Sequence, residues 1–175
     1  MITGAVVIQI LFNHVCRKSG SIGNFDPPLR AAHGQSADAR DHGIKTERGE
    51  HIPRGERAGV VIARQAADAF STEDKPRYVL GSLGPGTKLP SLGHTTYENL
   101  KVAYYTAAKG LADSGCDALL VETSQDLLQV KAAVNGCRQA ILEAAHDIVL
   151  IAQVTVETTG TMLMGSEIGA ALNAL

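Results

Sequence analysis

A glycine-rich stretch near the middle of the chain follows an apolar segment: residues 81–88 read GSLGPGTK. Gly81 and Gly86 have the spacing of the phosphate-binding loop G-x-x-x-x-G-K-[ST]. The lysine is Lys88, however, which comes one residue too late for that motif. Pro85 also removes one of the backbone N–H donors that would face a phosphate. The stretch therefore departs from a phosphate-binding loop, and its surroundings must indicate its role.

A carboxylate stands at the end of the next apolar run, DALLVE, where Glu122 is followed by Thr123. An anionic carboxylate held at a rigid strand end can bind an ammonium group through charge-assisted hydrogen bonds. The second interpretation is a glutamate that serves the cap of the following helix, and Thr123 with Asp126 could equally form that cap. The sequence alone leaves both interpretations open.

Cysteine and histidine provide no metal-binding pattern. The three cysteines, Cys16, Cys116 and Cys137, are far apart, and the sequence contains no C-x-x-C or H-E-x-x-H motif. We therefore expect no disulfide framework and a reducing, cytoplasmic location. Cys116 begins a predicted strand and Cys137 lies on the apolar side of a predicted helix, so we interpret both as small buried residues rather than ligands.

The overall composition excludes several classes of function. The 175 residues are 45% hydrophobic and 19% charged, as in a globular protein of one domain. A net charge of −2 favours neither nucleic acid nor an anionic membrane, and the 4% aromatic content argues against base stacking. The apolar opening at residues 5–12 is shorter than the about 20 residues that a transmembrane helix needs. We expect no nucleic-acid partner and no membrane partner.

The elements that must position these residues begin at a change in composition near residue 57. Residues 1–57 are predicted to be irregular, poorly ordered or unrelated to the rest, because few apolar residues recur there with a regular period. From residue 58 onward the pattern is regular. It predicts helices at 58–70, 95–115, 126–145 and from 166, and strands at 78–83, 117–122 and 148–154. A capping box at 95–98 begins the second helix at Thr95, and Gly115 ends it.

Strands that alternate with helices predict an α/β fold, with parallel strands joined by right-handed crossovers. An open doubly wound sheet and a (β/α)8 barrel share this pattern, although a complete barrel needs about 250 residues. Spacing alone does not choose between them. In both architectures ligands meet the carboxyl ends of the strands. These ends carry Gly84–Pro85, Glu122–Thr123 and the segment 155–160.

Three long segments at those strand ends carry a resemblance. GSLGPGTKLPSLGH, DALLVETSQDLLQVKAAVNG and QVTVETTGTMLMGSEIGAAL resemble, in this order, the homocysteine S-methyltransferase domain of cobalamin-dependent methionine synthases. The resemblance covers residues 58–175 and implies a partial (β/α)8 TIM barrel with about three of the strands. It also implies transfer of a methyl group to the homocysteine thiol, giving methionine. In full-length family members zinc lowers the thiol pKa, and methylcobalamin supplies the methyl group.

The resemblance assigns roles to four residues. Glu122 matches the acidic residue that anchors the homocysteine ammonium group, and Thr123 stands beside it in the same substrate-binding motif. Gly84 and Pro85 match the loop at the pocket rim, where small residues let the backbone approach a ligand closely. The zinc cysteines of the family belong to later strands with no match here. We therefore expect neither a catalytic residue nor a metal site, and no zinc or methylcobalamin bound by this chain alone.

Two hypotheses of different class follow. In the first, the chain is a fragment of a methionine synthase, with residues 58–175 as a partial homocysteine-binding domain that is inactive alone. In the second, it is a non-catalytic α/β module that binds a ligand or another protein. A partial barrel leaves strand edges unpaired, so the sequence also predicts self-association through those edges.

Overall fold

Strands and helices alternate along the computed structural model, which describes residues 6–12 and 51–175, with side chains from Glu56 onward. The elements are β1 (Val6–Phe12), α1 (His51–Phe70), β2 (Leu80–Leu83), a 3-10 turn (Pro90–Leu92), α2 (Tyr97–Asp113), β3 (Ala118–Ser124), α3 (Leu127–Leu142), β4 (Val149–Val156) and α4 (Ile168–Ala174). From β2 onward this is the predicted succession of strands and helices.

The strands form one sheet in the order β1-β4-β3-β2. Strands β2, β3 and β4 run parallel, which confirms the predicted α/β class with three parallel strands. The sheet is not closed in the part of the chain that the structure describes, and β2 lies at its edge. This arrangement is consistent with a partial barrel. Self-association through such an edge stays a prediction.

The first strand, β1, was not predicted from the sequence. β1 pairs antiparallel with β4, from Val6 opposite Val156 to Phe12 opposite Leu150. Its run of β-branched and large apolar residues suits a strand, but it falls in the segment predicted to be irregular. Helix α1 also begins at His51, so the boundary predicted after residue 57 falls inside a helix. Residues 13–50 lie outside the described residues, and the prediction there stays a prediction.

The two faces of the sheet carry different residues, because successive side chains of a strand point to opposite sides. One face packs on α2 and α3 and forms the main hydrophobic core, with Leu83, Leu119, Val121 and Leu150 almost completely buried. On the other face a smaller buried cluster comprises Leu80, Ala118, Leu120 and Ile151. Burial on both faces explains why the strands read as nearly continuous apolar runs.

Two glycines allow α2 to pack closely on its neighbours. A Cβ on Gly81 of β2 would come within 2.8 Å of the Leu111 side chain. A Cβ on Gly136, in the middle of α3, would lie 2.6 Å from the backbone oxygen of Lys101. Any larger residue at Gly136 would push α2 and α3 apart, so glycine is accepted there despite its weak helix propensity.

The helix ends largely follow the sequence. Thr96, rather than the predicted Thr95, is the N-cap of α2, and its hydroxyl accepts a hydrogen bond from the Asn99 N–H at 3.2 Å. The prediction was wrong by one residue because two threonines adjoin and only Thr96 directly precedes the first helical residue. Gly115 has a φ of +86° just beyond α2, which confirms its predicted role at the helix end.

Candidate functional site

Glu122 lies near the carboxyl end of β3 and is half-buried. It follows Leu120 by two residues, and Ser82 follows Leu80 by two, so both side chains belong to the sheet face opposite α2 and α3. The Ser82 hydroxyl donates a hydrogen bond to Oε1 of Glu122. The carboxylate is thus held from the neighbouring strand β2 by a neutral donor.

The cap of α3 is provided by Asp126 and not by Glu122. The Asp126 carboxylate accepts hydrogen bonds from the N–H groups of Leu128 and Gln129, at 2.9 and 3.3 Å. Of the two interpretations of Glu122, the helix-capping one therefore does not describe this structure. Glu122 keeps its carboxylate on the sheet face instead.

Thr123 has an unusual backbone. Its φ is +58°, the left-handed region, and its side chain is exposed. A β-branched residue rarely adopts this conformation, since the Cβ crowds the neighbouring carbonyl. The pairing of β3 with β4 also shifts between Val121 and Ser124, as in a β-bulge. Strained residues and bulges concentrate at functional sites, and here both directly follow Glu122.

The loop that contains Gly84 and Pro85 is fixed to the helices through its carbonyl oxygens. The Tyr104 hydroxyl donates to the Gly84 oxygen at 2.9 Å. The Gln129 side-chain amide donates to the Pro85 oxygen and, at 3.0 Å, to the Lys88 oxygen. A phosphate-binding loop works in the opposite sense, because it presents backbone N–H groups to its ligand. These contacts, like the sequence, argue against a phosphate-binding loop.

The same loop is held a second time at its far end. The N–H and hydroxyl of Ser91 both donate to the Asp126 carboxylate, at 2.9 and 2.8 Å. Asp126 and Gln129 are both fully buried, so the first turn of α3 and the loop form one packed unit. The loop beside the candidate site is therefore rigid, as a binding site requires.

Four residues of this arrangement were not predicted: Ser82, Ser91, Tyr104 and Gln129. Ser82 stands within the GSLGPG stretch itself, so its position offered a signal. The contacts of Gln129 reach across 41 and 44 residues of sequence, and nothing local indicates them. Two further hydroxyls near the strand ends, those of Ser124 and Thr155, are buried without a hydrogen-bond partner among the described side chains. Such atoms keep an unused capacity for a ligand or water.

A shallow recess, with room for about one water molecule, lies beside the site between α1 and the edge strand β2. Glu56 and Ser82 line it together with apolar residues and glycine. Burial raises the pKa of the Glu56 carboxyl from its ordinary 4.5 to about 7. Ser82 thus lines the recess that contains Glu56 and also donates a hydrogen bond to Glu122.

The described residues do not fit a zinc site. No three histidine, cysteine or acidic side chains come close enough to hold a metal ion in the part of the chain with described side chains. Cys116 and Cys137 are fully buried, as predicted, and burial raises the pKa of both thiols, that of Cys116 to about 12. A metal ligand must be a thiolate, which these surroundings disfavour. Cys16 lies outside the described residues.

The helices in the described part of the chain are also too short or too polar for a membrane span. The candidate site in this α/β fold consists of a carboxylate near the carboxyl end of a parallel strand and a glycine-proline loop beside it, which hydrogen bonds hold in place.

Comparison with known proteins places the chain in a family. The family model described as homocysteine S-methyltransferase matches residues 33–175. The methionine synthases of Mycobacterium tuberculosis and Mycobacterium leprae are each 62% identical to the chain over 117 residues, which is 67% of the chain. The chain belongs to the homocysteine S-methyltransferase family.

Two features of these matches concern their extent. The chain spans about a tenth of the length of the two methionine synthases, since the aligned part is 10% of each. The family match also begins at residue 33, inside the segment predicted to lie outside the resemblance. The family relationship therefore extends further toward the amino terminus than the sequence motifs indicated.

Proposed function

We propose that the chain binds homocysteine at the carboxyl ends of β2 and β3, with the Glu122 carboxylate holding the ammonium group of the amino acid. The observation that carries this proposal is the state of Glu122. Its carboxylate is half-buried, is fixed by a neutral hydroxyl and is not used in the cap of α3. A carboxylate can bind a cationic group through charge-assisted hydrogen bonds.

Thr123, Gly84 and Pro85 complete the proposed rim of the pocket. The carbonyl oxygens of Gly84 and Pro85 already accept hydrogen bonds from Tyr104 and Gln129. We propose that these two residues contribute shape, because a small residue and a rigid ring let the substrate approach the backbone. Thr123 contributes the irregular backbone near the end of β3, directly after Glu122.

The methyl transfer is proposed for the longer proteins of the family and not for this chain alone. The thiol of homocysteine must become a thiolate before it attacks a methyl group, and the described residues offer no metal site that would lower its pKa. A direct test is methionine formation by the 175-residue chain, supplied with homocysteine, zinc and methylcobalamin. We expect none, and turnover by the chain would contradict the proposal.

Substrate binding is tested by titration calorimetry of homocysteine with the full chain. We expect Glu122→Gln to weaken binding about 10- to 100-fold, since a hydrogen bond to a charged group contributes roughly 1.5–3 kcal/mol. Glu98→Gln is the matched control, because Glu98 is an exposed carboxylate in the first turn of α2 whose side chain forms no hydrogen bond with Glu122 or Ser82. Equal affinity of the Glu122→Gln chain and the wild type would overturn the role of Glu122.

A further inference from the structure

Ser82 is the single described side chain that contacts the Glu122 carboxylate through a hydrogen bond. We propose that Ser82 is a positioning residue for Glu122, and that it sets the preference of the site for a ligand with an ammonium group. This inference rests on the proposed function. Ser82 itself does not need to touch the substrate, because it acts through the carboxylate.

The strand pairing fixes the position of Ser82 relative to Glu122. β2 pairs with β3 from Leu80 opposite Ala118 to Leu83 opposite Val121, so the backbone that carries Ser82 is fixed against the strand of Glu122. A serine side chain has one heavy-atom torsion, and little freedom is lost when it holds its partner. Glutamate has three such torsions, and without an anchor its carboxylate would sample many positions.

The chemistry of the contact also suits an ammonium ligand. A hydroxyl donor occupies one acceptor position of the carboxylate and leaves Oε2, together with the second lone pair of Oε1, available. It does not neutralise the negative charge, as an arginine or lysine would. The ion pairs between described side chains are Arg64–Asp117 and Lys109–Asp113, and neither includes Glu122.

A purely structural role is the competing explanation, in which the hydrogen bond only joins two strands. The two roles differ in what they do to ligand selectivity. A structural contact affects every ligand of the site equally. A positioning contact affects ligands that use the carboxylate and spares those that do not.

The experiment compares two ligands by titration calorimetry: homocysteine and 4-mercaptobutanoate, which has the same chain without the amino group. We expect wild type to prefer homocysteine at least about tenfold. In Ser82→Ala homocysteine binding should weaken about tenfold, while binding of the analogue stays within about twofold. Ser82→Thr, which keeps the hydroxyl on a strand-compatible side chain, should restore the preference.

Ser114→Ala is the matched control, because its half-buried hydroxyl also donates one hydrogen bond, to the Gly110 oxygen at the end of α2. It should leave both affinities unchanged. Circular dichroism melts check that each variant folds. If Ser82→Ala does not fold, Ser82→Cys gives the same test, since a thiol of similar size is a weak donor.

The outcomes separate the inference from the function on which it rests. A wild-type chain that binds no homocysteine, or binds both ligands equally, overturns the proposed function and the role of Ser82 with it. A wild-type preference that persists in Ser82→Ala overturns the positioning role alone. A parallel loss of affinity for both ligands also overturns it, because that is the result of a structural contact.

Discussion

Two carboxylates lie near opposite ends of β3 and have different hydrogen-bond partners. Asp117 directly precedes β3, where its Oδ2 accepts hydrogen bonds from Arg64 and from the Val79 N–H, both at 2.6 Å. Glu122, near the other end of β3, accepts one hydrogen bond from a neutral hydroxyl. The first carboxylate joins α1, β2 and β3, whereas the second forms no ion pair with any side chain that the structure describes. In (β/α)8 barrels the amino ends of strands serve stability and the carboxyl ends serve function, and the contrast between Asp117 and Glu122 is consistent with that division.

The largest expected effect is the loss of stability when the structural carboxylate is removed. Asp117→Ala leaves the Val79 N–H without an acceptor, and Val79 is 2% exposed. An unsatisfied buried donor costs about 1–3 kcal/mol. The lost ion pair, about one-third exposed, adds less than about 1 kcal/mol. Urea denaturation should therefore show a decrease of about 2–3 kcal/mol in the free energy of unfolding.

The control for this variant is Asp113→Ala, which removes the ion pair with Lys109 within α2. It should leave the free energy of unfolding nearly unchanged, as is usual for exposed pairs one helical turn apart. Equal losses in the two variants would show that the hydrogen bond to Val79 contributes nothing, and the contrast between the ends of β3 would weaken.

The second prediction tests the roles of the two carboxylates separately, by changing each one to its amide. Glu122→Gln should lose homocysteine affinity about tenfold or more and change the free energy of unfolding by less than about 0.5 kcal/mol, because the amide oxygen still accepts from Ser82. Asp117→Asn should lower stability and leave the affinity within about twofold, since Asp117 lies at the opposite end of the strand. Calorimetric titrations and urea denaturation of both variants check this. Loss of both properties in either variant would contradict the division of roles.

The third prediction concerns pH and the carboxyl of Glu56. Burial raises its pKa from 4.5 to about 7, so the folded chain binds a proton that the unfolded chain has released in this range. The stabilising contribution of Glu56 is thus complete below pH 4.5 and is lost as the pH rises through about 7. Glu56→Gln should flatten the decline in the free energy of unfolding between these pH values. An unchanged profile in the variant would show that another group causes any decline.

Features of this fold that depend on neighbouring residues can be predicted from the sequence, whereas features that join distant parts of the chain cannot. The apolar runs that became β2, β3 and β4 are local, and so is the left-handed Gly115 that follows α2. Glu122 could be selected because it ends such a run. The pairing of Val6 with Val156 joins distant parts of the chain, and no local pattern reveals it. The bond from Ser82 to Glu122 spans 40 residues and depends on the register of two strands, which the sequence does not specify.

The smallest expected effect tests whether the backbone of Thr123, directly after Glu122, is strained and whether that strain contributes to ligand binding. Thr123 is the one residue other than glycine with a positive φ in the part of the chain that the structure describes. Glycine adopts this conformation without a steric cost, so Thr123→Gly should raise the free energy of unfolding by about 0.5–1 kcal/mol. Thr158→Gly, at an exposed loop position without a positive φ, should lower it by a few tenths of a kcal/mol instead, because glycine is more flexible when unfolded. Both values come from urea denaturation.

If the rigid backbone at Thr123 helps to hold Glu122, Thr123→Gly should also weaken homocysteine binding about two- to fivefold, since relief of strain at a site commonly reduces its function. Decreased stability in both glycine variants would mean that the surrounding bulge, and not strain at Thr123, fixes the end of β3.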